Sequence, residues 1–166
     1  DAKILTIYEG TTAIQANDLV GRKTARDGGS TAKAIAAQIE KTEADLRANG
    51  STDALAFAKR LAGARQAFLD VVDFIVAQSA NNPNAAYAGS VPYLMLSGNL
   101  MAGWQMGRAL LAAQAQLAAG DDAEFMQAKI ATSRFYADHV LSRVPGLRDG
   151  IVEGADSVTA LALEAF

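Results

Sequence analysis

Asp53 to Ala80 reads DALAFAKRLAGARQAFLDVVDFIVAQSA, and its pattern decides the fold class. Leu61, Ala64, Phe68, Val72 and Ile75 recur three or four residues apart. That spacing lines them along one side of an α-helix. No breaker occurs before NNPN at Asn81 to Asn84, so one long helix is expected from about Asp53 to near Ala80.

The same spacing continues in both directions. Upstream, RDGGST (Arg26 to Thr31) carries two glycines, then Ser30 and Thr31 as candidate caps. Ile35, Ile39 and Leu46 follow as a buried stripe, with Glu40, Lys41, Glu43 and Asp45 expected on the wet side. NGST (Asn49 to Thr52) ends that helix and starts the next. Downstream, NNPNAAYAGSVP (Asn81 to Pro92) reads as the longest irregular connection. A helix from about Pro92 to Ala119 is apolar on most faces and is expected to lie centrally. Gly103 and Gly107, on either side of Trp104, predict close approach by a neighbouring helix. GDD (Gly120 to Asp122) breaks the pattern. Met126, Ile130, Ser133, Ala137, Val140 and Val144 then form another stripe, stopped by Pro145 and Gly146. The tail, with Val158, Leu161 and Leu163, is expected to fold back as a last helix. No segment alternates apolar and polar residues long enough for a strand. The expectation is all-α: an antiparallel bundle of long helices, four-helix-bundle-like, with short terminal helices.

Composition narrows the function. The 166 residues suffice for a sizeable core, and 51% are hydrophobic. Fifteen basic and 18 acidic residues give a net charge of -3. Without a basic block there is no electrostatic footprint of a nucleic-acid binder. The absence of cysteine excludes disulfides, thiolate metal sites and cysteine nucleophiles, and fits a reducing, cytoplasmic setting. Val91 to Leu117 is the most apolar region, but Asn99, Gln105, Arg108 and Gln114 interrupt it, which favours a buried helix over a membrane span. The sequence opens on Asp1 and is expected to be a soluble segment of a longer polypeptide, with no signal sequence expected.

Most chemical signatures are missing. There is no Gly-x-Gly-x-x-Gly turn, no phosphate loop and no paired histidines on a helix. His139 is the lone histidine and reads as an ordinary polar helix position, so no metal site is expected. Asp121, Asp122 and Glu124 are explained by a helix start. Tyr87, Tyr93 and Trp104 read as core before pocket. Glu9 remains. On pattern, EGTT is a turn in which Gly10 supplies an unusual backbone angle, with Thr11 or Thr12 capping a helix that begins near Ala13. A carboxylate there is either a simple dipole partner or a positioned base above a helix end that holds an anion. Spacing does not choose between the two.

The residues themselves carry a resemblance. IYEGTTAIQANDLVGRK (Ile7 to Lys23) closely resembles the segment of the acyl-CoA dehydrogenase family that bears the catalytic glutamate: Tyr-Glu-Gly-Thr, then a helix containing Ile-Gln. ANDLVGRKTARDGG (Ala16 to Gly29) looks like the larger bacterial branch, which has an extra C-terminal helical region. SVPYLMLSGNLMAGW (Ser90 to Trp104) is similar more weakly. The resemblance implies that residues 1–30 end the catalytic α-domain and residues 31–166 form the C-terminal helical bundle. It implies Glu9 as the base, Gly10 against the substrate, and Thr11, Thr12, Ala13 and Gln15 at FAD. In that family an acyl-CoA thioester becomes a trans-2-enoyl-CoA, and electrons leave through an electron-transferring flavoprotein. It further implies partner domains in the same polypeptide (an N-terminal helical domain and a β-domain), a homo-oligomer, and no activity in this segment alone. The competing expectation is a non-catalytic helical oligomerisation or interaction module.

Overall fold

A computed structural model describes Lys3, residues 10–158 and residues 160–165, with only the backbone of Leu163. The described residues are helical almost throughout and contain no strand. α1 (Thr12–Asp18) runs directly into a π-helical turn (Leu19–Ala25). The four long helices follow: α2 (Ser30–Asn49), α3 (Thr52–Asn81), α5 (Ser90–Ala118) and α6 (Ala123–His139), with the short α4 (Pro83–Ala88) between α3 and α5. A 3-10 turn (Leu141–Arg143), α7 (Val144–Val152), α8 (Ala155–Val158) and a last 3-10 turn (Leu163–Ala165) complete the chain.

Side-chain pairs fix the direction of each helix. Lys33 meets Asp73, and Glu43 meets Arg65, so α2 and α3 are antiparallel. Thr42 accepts a hydrogen bond from Trp104, and Ser51 accepts one from Gln114, so α2 and α5 run the same way. Asp53 and Arg60 pair with Arg134 and Asp138, which makes α3 and α6 parallel. The result is an up-down-up-down bundle. The expected stripe Leu61, Ala64, Phe68, Val72 and Ile75 is buried. Each large apolar side chain so removed from water contributes about 1.5–3 kcal/mol.

α3 follows its sequence closely. Gly50 takes a left-handed φ of 73°, the Ser51 hydroxyl accepts from the Ala54 N–H at 3.2 Å, and the helix ends where Asn81 and Asn82 intervene. The two α5 glycines act as expected. A Cβ on Gly103 would lie 2.5 Å from Leu141, and one on Gly107 would lie 3.1 Å from Phe57 and 3.3 Å from Leu46.

Four expectations need correction. NNPNAAYAGSVP is not irregular: Asn82 caps α4, Pro83 opens its first turn, and α5 starts at Ser90, ahead of Pro92. Proline is tolerated in a first turn because its missing N–H would have had no partner there. For the same reason Pro145 does not stop a helix; α6 ends at His139 and Pro145 sits in the first turn of α7. Glu43 does not face water. It is fully buried, held by Arg65 through Nε at 2.6 Å and a second nitrogen at 3.1 Å, with Arg47 3.6 Å away. The tail does not bury itself as a packed helix, since Val158 and Leu161 are 65% and 64% exposed.

Two measurements test this packing. Arg65→Ala strands a buried carboxylate and should lower unfolding free energy by about 3–5 kcal/mol in urea titration, whereas Lys33→Ala on the surface should cost less than about 1 kcal/mol. Gly103→Ala forces Leu141 to move and should cost about 1–3 kcal/mol. Gly63→Ala, on the exposed side of α3 with open space around it, should instead stabilise by about 0.5–1 kcal/mol.

Candidate functional site

The candidate residues lie at the start of the described chain, on a helix fixed to the bundle along one edge. Gly10 is exposed with φ 142°, a conformation that side chains resist. Thr11 occupies the N-cap of α1; its side chain makes no capping bond, but its carbonyl accepts from the Gln15 N–H at 2.8 Å. The helix starts at Thr12, one residue before Ala13. Thr11, Ala13 and Gln15 are exposed and Thr12 is half-buried. Ile14 is 67% exposed, a large apolar side chain facing outward beside the turn. Gly10, Thr11, Thr12, Ala13 and Gln15 thus fall on one short run of backbone. Glu9, Tyr8 and Ile7 lie outside the described residues.

The opposite edge holds this helix to α5. Ala16 and Val20 are fully buried and Thr24 is 1% exposed. In an α-helix of 3.6 residues per turn, a four-residue step overshoots a full circle by about 40°, so three such residues would drift around the axis. Here the chain widens. Arg26 N–H donates to the Gly21 carbonyl at 3.1 Å, five residues back, before the helix end closes with Gly29 N–H on the Thr24 carbonyl at 2.9 Å and Gly28 N–H on the Ala25 carbonyl at 3.1 Å. A π turn advances fewer degrees per residue, which offsets the drift and keeps the three side chains on one line. Gly21 leaves room for the Tyr87 hydroxyl, which would stand 2.5 Å from an added Cβ.

Thr24 ends that line on a hydrogen bond. Its hydroxyl lies 3.0 Å from the Tyr93 hydroxyl of α5, and both residues are buried. Burial pushes the Tyr93 phenol above its ordinary range, partly opposed by this bond. The Tyr93 ring stacks on Phe68, centroids 6.0 Å apart. Beside them is a half-open cleft of about 170 Å³, lined by Leu19, Thr24, Ile35, Phe68, Tyr93 and Met101. Tyr93 therefore serves both core and cleft, while Tyr87 is 40% exposed and Trp104 is tied to Thr42.

Asp27 performs the capping expected of Ser30 or Thr31. Its two carboxylate oxygens accept from the Gly29 and Thr31 N–H groups, each at 3.0 Å, as the chain turns through the positive φ of Gly28 and Gly29 into α2. The hydrogen bonds from Thr31 hold the Asp27 carboxyl down at about 2. His139 is exposed and tilts over Phe135 at 4.6 Å. Asp122 caps α6 by accepting from Phe125 N–H. Among the described residues no group of acids, histidines or cysteines is placed to hold a metal, and no helix is long and apolar enough to cross a membrane.

Sequence reasoning missed Thr24 and Asp27. Thr24 follows Val20 by four residues, yet a polar residue in GRKTARDGG gives no sign of burial. Asp27 precedes two glycines, a signal for an Asx turn that was available.

Residues 32–162 match the family described as acetyl-CoA dehydrogenase C-terminal like, and the chain belongs to the acyl-CoA dehydrogenase family as its C-terminal helical domain. It is 53% identical over 163 residues to the 3-methylmercaptopropionyl-CoA dehydrogenase of Ruegeria pomeroyi, covering 98% of this chain and 28% of that protein. It is 33% identical to the broad-specificity linear acyl-CoA dehydrogenase of Mycobacterium tuberculosis, covering 95% of this chain and 27% of that one. A butyryl-CoA dehydrogenase of Syntrophomonas wolfei is also 33% identical, matched over 100% of this chain and 27% of its own length. The chain spans little more than a quarter of the curated relatives it matches.

The Asp27 cap has a definite pH signature. Its folded pKa, about 2, lies below the ordinary 3.8, so its contribution is complete above 3.8 and is lost as pH falls toward about 2. Asp27→Asn should flatten the acid limb of stability across that window, read by unfolding midpoints at stepped pH, and leave the slope near neutrality unchanged.

Proposed function

We propose that this segment supplies the catalytic base of a flavin-dependent acyl-CoA dehydrogenase, with residues 1–30 closing the catalytic α-domain and residues 31–166 forming the C-terminal bundle. The family match from residue 32 onward supports that division. The observation that carries the reading is the Gly10–Gln15 turn: a glycine at φ 142° at the mouth of a helix whose far edge is anchored and whose near edge is uncovered. A base on such a turn is aimed by a fixed helix and remains open to a substrate.

Glu9 takes the proton from the carbon next to the thioester carbonyl. A carboxylate is a weak base toward a carbon acid. The reaction therefore needs the carbonyl polarised and water excluded, which also raises the proton affinity of the carboxylate. Gly10 brings backbone against the substrate without a side chain in the way. FAD, when bound, supplies the acceptor for the β-hydride. The residues present fit one edge of such a group: Thr11 and Gln15, four residues apart, offer a hydroxyl and an amide on one exposed helical face, while Ala13 lies about half a turn away and offers only its backbone. They do not enclose it. Activity in this segment alone is therefore not expected, because positioning of the thioester would come from other surfaces.

The product is a trans-2-enoyl-CoA, and an electron-transferring flavoprotein receives the electrons. The printed activities of the relatives support an acyl-CoA substrate, and the 53% identical one favours a short sulfur-bearing acyl group. A second reading, a helical assembly surface, is favoured by exposed Met95, Phe125 and Phe135, 53%, 51% and 61% accessible. It is compatible with the first, and gel filtration separates a monomer from an assembly.

In the full-length flavoprotein carrying this segment, Glu9→Gln should retain fold and FAD but abolish bleaching of the flavin by acyl-CoA. Bleaching at the parental rate would remove Glu9 as the base. The segment alone, mixed with FAD and an acyl-CoA, should leave the flavin oxidised.

A further inference from the structure

We infer that Thr24 and Tyr93 are positioning residues: their hydrogen bond locks the register of the π turn and thereby sets the rotation of α1, which aims the Gly10–Gln15 turn. This rests on the reading of that turn as the site of the base. Three observations meet here. First, the π turn follows α1 directly in the chain, so a change in its register bears on the rotation of α1 and of the Gly10–Gln15 turn. Second, the widened register of Leu19–Ala25, with Arg26 N–H on the Gly21 carbonyl, brings Thr24 onto the buried side that Ala16 and Val20 already occupy. Third, the line ends on a directional contact, Thr24 Oγ1 to Tyr93 Oη at 3.0 Å.

Ala16 and Val20 are apolar and their packing is weakly directional. Closing the π turn to α geometry removes one residue from the turn, a rotation of about 100° for whatever lies beyond it. Packing of an alanine and a valine discriminates poorly against partial rotations of that kind. A buried hydroxyl pair does discriminate, because a shifted Thr24 loses the partner of its buried hydroxyl, at about 1–3 kcal/mol. Ring stacking on Phe68 fixes the Tyr93 side of the pair. On the other side Gly21 admits the Tyr87 hydroxyl at a distance no side chain would tolerate, so the widened turn is held at two points.

The test uses the full-length flavoprotein with Thr24→Val, which keeps shape and loses the hydroxyl, together with Tyr93→Phe, the double variant and Thr24→Ser. Each of the first two should slow flavin reduction by acyl-CoA about tenfold or more, at unchanged FAD content and KM. The double variant should be no slower than either single one, and Thr24→Ser should restore the parental rate. Parental rates in Thr24→Val and Tyr93→Phe would overturn the lock, and so would a Thr24→Ser as slow as Thr24→Val.

A second arm does not depend on catalysis. The 166-residue chain contains no cysteine, so spin labels on Gln15→Cys and Ala112→Cys report the placement of α1 against α5. Thr24→Val should shift or broaden that distance, and an unchanged distribution would overturn the lock. If Glu9→Gln bleaches normally, the functional reading fails and the label distances alone decide the lock.

Discussion

Tyr93 stands where three parts of the molecule meet. Its ring stacks on Phe68 of α3, its backbone belongs to the first turns of α5, and its hydroxyl holds Thr24 at the end of the π turn. The bundle would still close without that hydroxyl, because the apolar stripes of α3 and α5 do most of the burying. The helix that carries the Gly10–Gln15 turn would lose a directional restraint on its rotation. A fold of this kind separates stability from aim: large side chains supply the first, and one directional contact between buried polar atoms supplies the second.

The bundle solves a related problem at its other end. Close approach of α5 to its neighbours is made possible by Gly103 and Gly107, with Leu141 and Phe57 filling the space that side chains would have taken. α2 then lies against α3 near enough for Glu43 to be sealed from water, and Arg65 answers it with two hydrogen bonds. Such a pair adds little net stability over an apolar one, but a slipped α2 would leave a bare charge inside the protein. The same logic governs Thr24 and Tyr93. In both places the cost of the wrong arrangement does more than the gain from the right one.

The long helices were legible because their signal is periodic and redundant. Leu61, Ala64, Phe68, Val72 and Ile75 repeat one message, and Gly50 and Ser51 mark a boundary in ordinary turn chemistry. Proline and charge misled where a single residue has two physical meanings. Pro83 and Pro145 break a helix when they sit inside it and open one when they sit in its first turn. Glu43 looks like its neighbours Glu40 and Asp45 until a guanidinium from 22 residues away covers it. At the site, Gly10 was readable as a turn glycine, and the Tyr-Glu-Gly-Thr run pointed to the family. The anchor was not readable. Burial of Thr24 depends on a π turn whose hydrogen-bond register leaves no mark in composition or in a 3.6-residue period.

The division of labour along the first helix also explains why its outer face is so sparsely fastened. From Gly10 to Thr24 only Ala16, Val20 and Thr24 are fully sequestered, and Ile14 points away from the bundle. A segment with few buried contacts opens at low cost compared with core helices such as α3. On the proposed reading, in which Glu9 is the base, a thin attachment suits the turn provided its rotation is defined. The hydroxyl pair defines rotation with almost no added area, which is why a polar contact suits this position better than another leucine would. More apolar surface would hold the helix harder without fixing its rotation more closely.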